Sequence, residues 1–115
     1  MGGFYSKVRE VSQDLIQLLE DLIDEGDAGA IPLYEAVIED HQDLLRGISD
    51  VSIISGTYSK THKFLQRQIE FFKKKSSFTS VVLCKVMARR IHDVVIESLH
   101  ETQPIEVQQP DKKKS

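Results

Sequence analysis

Residues 6–25 read SKVREVSQDLIQLLEDLIDE. Val8, Val11, Leu15, Leu18 and Leu22 recur every three or four positions, the period of an α-helix with one apolar side. Ile16, Leu19 and Ile23 widen that stripe, and Glu10, Gln13, Asp14, Gln17, Glu20, Asp21 and Asp24 hold the opposite side. Gly26 follows as a C-terminal cap, because glycine enters the left-handed conformation without a Cβ penalty. So broad an apolar face needs partner helices to cover it, and that requirement sets the fold class.

Three further segments carry the same period. Pro32 opens the second, where its fixed φ helps and its missing N–H costs nothing. Leu33, Val37, Leu44, Ile48 and Val51 then follow helical spacing. Gly47 interrupts this pattern, at about 1 kcal/mol relative to alanine. Val51-Ser52-Ile53-Ile54 is β-branched enough for a strand, but no second strand candidate exists to pair with it. It is read as the last turn of the second helix, ended by Ser55-Gly56-Thr57. The third helix has a core stripe of Tyr58, Leu65, Ile69 and Phe72, and Lys73-Lys74-Lys75 closes it with charge that suits the negative end of its dipole. Ser76-Ser77-Phe78-Thr79 is a turn and cap. The fourth helix carries Val81, Cys84, Met87, Ala88, Ile91, Val94, Val95 and Leu99. Val82, Leu83 and Val86 make its start apolar nearly all round, which predicts the most buried helix of the four.

The expected architecture is all-α: a four-helix up-and-down bundle over residues 1–100, with helices at about 6–25, 32–54, 58–75 and 78–100. Residues 101–115, with Pro104, Pro110, three glutamines and the basic run Lys112-Lys113-Lys114, read as a disordered tail.

Composition narrows the class. A chain of 115 residues, 40% hydrophobic and 29% charged, is one globular domain. No apolar run approaches the roughly 18 residues of a membrane span, and no basic start followed by an apolar stretch suggests a secretory leader. The one cysteine, Cys84, makes no internal disulfide and fits a reducing compartment, read as cytoplasmic. Charge is divided between the halves: twelve acids face one base from Glu10 to Asp50, whereas nine bases face three acids from Thr57 to His100. Either the two halves attract each other within the bundle, or the second offers a basic face to acidic lipid or nucleic acid. Nucleic acid is disfavoured, because the aromatic residues of the third helix fall on its packing side and the isoelectric point is near 5.8.

Catalytic patterns are missing. There is no Gly-x-Ser-x-Gly, no phosphate-binding glycine loop, and no partner for Cys84. A carboxylate-bridged di-iron site needs two Glu-x-x-His segments, and Glu97–His100 is the one present. The chain is therefore read as non-enzymatic, with no cofactor and no metal.

One local signal names a chemistry. Met1-Gly2-Gly3-Phe4-Tyr5-Ser6 fits M-G-x-x-x-[ST], in which removal of Met1 exposes the Gly2 amine to N-myristoylation. The plainer reading is an ordinary start with Ser6 capping the first helix. One myristoyl chain binds membranes only marginally, so stable attachment needs a second element. Lys60, Lys63, Arg67 and Lys74 share one face of the third helix and, with Lys73, Lys75 and Lys7 near the anchor, would supply bases for acidic lipid or phosphate. In general architecture this resembles viral matrix proteins: an acylated glycine, a small helical domain and basic residues. The resemblance covers Met1–Lys7 and composition, and it departs where the first helix turns acidic beyond Arg9. The expectation is a peripheral membrane adaptor or matrix-type protein on the cytoplasmic face, with a protein partner on another surface. The alternative is an unlipidated helical interaction module that can work as a homodimer.

Overall fold

A computed structural model describes the backbone of residues 2–102 and the side chains of residues 3–100. It contains four helices: α1 (Gly2–Asp24), α2 (Ile31–Leu45), α3 (Val51–Lys74) and α4 (Phe78–Thr102). A single 3₁₀ turn, Ala28–Ala30, leads into α2. Among the described residues there is no strand. Each helix packs on the next, α4 closes on α1, and α3 with α4 forms the most extensive interface. This is an up-and-down bundle, with α1 diagonal to α3.

The α1 stripe forms one side of the core: Val8, Val11, Leu15, Leu19 and Leu22 are buried. It meets Val37 and Leu44 of α2, Ile54, Leu65 and Ile69 of α3, and Cys84, Ile91 and Val94 of α4. α1 starts at Gly2 rather than near Ser6, because Phe4 extends the stripe by one turn and is buried with it. Ser6 therefore caps nothing. Its hydroxyl lies exposed within the helix and accepts from Arg9 Nη2 at 3.4 Å.

The largest correction concerns the second connection. α2 stops at Leu45, and Val51–Ile54, expected to end it, instead opens α3. Gly47, at φ +76°, takes the left-handed position of a helix C-terminal turn, with Ile48 N–H donating to the Asp43 carbonyl at 2.9 Å. Three residues on, the Asp50 carboxylate caps α3 by accepting from Ser52 N–H at 2.8 Å and from Ser52 Oγ at 2.7 Å. Those bonds hold the Asp50 carboxyl below its usual range. Ser55-Gly56-Thr57, expected as a break, lies inside α3. The same C-terminal turn recurs at Gly26 (φ +99°) and at Ser76, a serine at φ +58°. α4 continues to Thr102, and the rest of the expected tail lies outside the described residues.

A polar cluster sits within the core where α1, α2 and α3 meet. The Ser12 and Tyr58 hydroxyls hydrogen-bond each other across the diagonal, and Thr61 Oγ1 donates to the Thr57 carbonyl at 2.9 Å. Burial, with a further push from the Asp40 charge, raises the Tyr58 hydroxyl to about 12. Asp40 is 7% exposed. Burial raises its pKa, the nearby Asp43 and Glu39 charges add to this, and a hydrogen bond with Thr57 opposes it. A carboxyl raised in the folded state contributes stability at acid pH that is lost as pH climbs through its folded pKa. Asp40→Asn, which keeps a partner for Thr57, is thus expected to stabilise the bundle by about 1 kcal/mol near neutrality. The gain should shrink in acid, and thermal melts of both proteins across the acid range would measure it. An equal difference at every pH would show that Asp40 is not held against its charge.

Candidate functional site

α3 presents the basic face. Lys60, Lys63, Arg67 and Lys74 are all exposed along its solvent side, placed there by spacings of three, four and seven residues while Tyr58, Leu65, Ile69 and Phe72 turn inward. Two apolar residues share that side: Ile53 is 57% exposed, and Phe71, expected on the packing side with Phe64 and Phe72, is 48% exposed because it falls one residue outside the buried stripe. A shallow hollow among Gln66, Arg67, Glu70, Phe71 and Lys74 lies on this face.

The remaining predicted bases point elsewhere. Lys73 turns toward α4 and lies 3.7 Å from Glu70. Lys75 sits 4.9 Å above the Phe71 ring and lines a second hollow that reaches Glu25 and Asp27 in the α1–α2 connection. Lys7 is on α1, 3.4 Å from Glu97 of α4, so it bridges two helices instead of joining the α3 face. Gly2 is the first residue of α1. Its end of the bundle also holds the α2–α3 corner, where Leu45 and Ile48 are exposed.

Two features were not foreseen. The first is an apolar strip on α4: Phe78 is 82% exposed, and Val82, Leu83 and Val86 are about half exposed. The helix expected to be most buried thus shows an apolar side to solvent, because Val81, Cys84, Met87, Ala88 and Ile91 already fill the contact with its neighbours. The second is a groove of about 480 Å³ between α3 and α4, with His62 and His92 facing each other at 6.0 Å between ring centroids. The two lie fifteen residues before and fifteen after Ser77, so a hairpin folded at that turn brings them level. That symmetry was the available signal.

Among the described residues, no three His, Cys, Asp or Glu side chains gather closely enough to hold a metal ion. Cys84 is buried, and burial with the Asp27 and Glu25 charges pushes its thiol up to about 11. It stays protonated near neutrality and is no nucleophile. No helix of the described residues is long and apolar enough to cross a membrane. No protein family, no curated protein and no solved structure matches the chain.

Proposed function

We propose that this chain is a non-enzymatic peripheral membrane adaptor of matrix type, N-myristoylated on Gly2, that rests on acidic lipid through α3. The observation that carries the reading is the α3 face itself: four exposed bases interleaved with exposed Phe71 and Ile53. Bases near an anionic leaflet contribute about 1 kcal/mol each, and exposed apolar side chains add burial at the headgroup boundary. Because the bases run along α3 while Gly2 lies at one end, the bundle would lie lengthwise on the surface. The acidic α1 and α2 would then face away, toward a protein partner.

A second reading has its own support. The exposed α4 strip of Phe78, Val82, Leu83 and Val86 suits an unlipidated interaction module that pairs with a second copy. One experiment separates the two. Gly2→Ala, expressed in eukaryotic cells, is expected to move the protein from membranes to the soluble fraction. An unmodified amino terminus in the parent, or unchanged partitioning of the variant, would remove the lipid anchor and favour the module.

A further inference from the structure

The groove between α3 and α4 gathers more cationic chemistry than its two carboxylates neutralise. α3 supplies His62, Glu70 and Lys73; α4 supplies Lys85, Arg89, His92 and Asp93. Buried Ile69 and Ala88 form an apolar floor. Glu70 is 3.7 Å from Lys73, and Asp93 is 3.7 Å from Arg89, both beyond hydrogen-bond length. Among the described residues nothing pairs with Lys85. The excess of positive groups disfavours a metal cation and favours an oxyanion with several acceptor atoms.

The histidine pair fits the same ligand. Both rings line the groove, 6.0 Å apart between centroids and tilted by 45°, so each can offer an N–H to one anion seated at their rim. His92 Nδ1 lies 3.5 Å from Asp93 Oδ1, which orients the ring with Nε2 away from that carboxylate. Gln66 stands beside His62, 3.4 Å between its Nε2 and the ring Nε2. Gln66 and Glu70 line both this groove and the hollow on the basic α3 face, so the two are continuous.

We propose that the α3–α4 groove binds a phosphate monoester, with Lys85 and Arg89 holding its oxygens and the His62–His92 pair contacting it. The proposal deepens the membrane reading and rests on it for the source of the phosphate: a phosphorylated lipid headgroup reaching in from the α3 face. Arginine and lysine are the ordinary phosphate partners, and two imidazoles make the site respond to pH. Burial, and then the charge of His92, lower the pKa of His62 below its usual value. The empty groove therefore holds a neutral ring near pH 7, and a bound anion favours the protonated one. Falling pH should therefore favour this groove over one without the two imidazoles.

The test uses the full chain and two probes. Soluble inositol trisphosphate is titrated calorimetrically. Vesicles carrying a phosphatidylinositol bisphosphate are compared with phosphatidylserine vesicles of matched surface charge. The soluble probe should bind, about tenfold more weakly in Lys85→Gln/Arg89→Gln. The phosphate itself takes up a proton at about pH 6, so the readout is relative: from about pH 7.5 to about pH 5.5 the parent should gain several-fold in affinity over His62→Gln/His92→Gln. The bisphosphate vesicles should be preferred. All four substituted side chains are at least partly exposed, so folding should survive. If the soluble probe binds with this profile and neither vesicle does, the groove stands as a site for a free phosphate ester and the membrane reading falls. If both vesicles bind equally, unaffected by Lys85→Gln/Arg89→Gln, and the soluble probe does not bind, the groove is overturned and the membrane reading stands. Binding to none of the probes overturns both.

Discussion

Reversing Lys60, Lys63 and Arg67 to glutamate is expected to weaken binding to anionic vesicles by at least about a hundredfold. Losing three bases at about 1 kcal/mol each removes roughly 3 kcal/mol, which is two decades in affinity. The new glutamates add repulsion beyond that. The loss should be largest at low ionic strength and shrink as salt screens the leaflet. The fold should tolerate the change, because all three side chains are exposed and none makes an ion pair among the described residues. Co-sedimentation reads the binding, and circular dichroism checks helix content. Equal binding before and after would assign these bases to solubility.

Tyr58→Ala is expected to cost about 3–5 kcal/mol of stability. Tyr58 is fully buried, hydrogen-bonds Ser12 of α1, and is among the largest fully buried side chains in the core. Truncation leaves a cavity and strips the Ser12 hydroxyl of its partner. Small domains have about 5–15 kcal/mol in all, so the variant should sit at the edge of unfolding. Tyr58→Phe keeps the ring and removes only the hydroxyl, and should cost about 1 kcal/mol. Urea denaturation of the two would separate packing from hydrogen bonding. A cost below about 1 kcal/mol for the alanine variant would show that neighbouring helices close over the gap.

The sequence made some of this legible and hid the rest for definable reasons. The α1 stripe was plain because Val8, Val11, Leu15 and Leu22 are buried at regular helical spacing. Gly47 was visible but read only as a weak point, and the cap at Asp50 went unrecognised. Local periodicity cannot separate two helices whose apolar phases happen to run on, whereas a glycine followed three residues later by a capping aspartate can. The α4 strip was misread because a run of apolar residues reports hydropathy, not how many neighbours exist to cover it. Of the predicted bases, four share the α3 face because their spacing obeys the helix. The adjacent run of Lys73, Lys74 and Lys75 fans around it by about 100° per residue and cannot stay together. The His62–His92 pair and the Ser12–Tyr58 bond depend on tertiary pairing across separate helices, which no local window contains.

The most extensive interface lies between α3 and α4, which a ribosome delivers after α1 and α2. Until they emerge, α1 and α2 carry Val8, Leu15, Leu22, Val37 and Leu44 without the α3 and α4 side chains that complete their cover. An isolated helical pair of this size is marginal, and its open apolar side invites association with other unfinished chains. Glu10–Asp50 carries twelve acids against one base. On a nascent chain that charge would repel sister chains, until the α3–α4 hairpin, with nine bases against three acids from Thr57 to His100, arrives to close the core and offset about half of it.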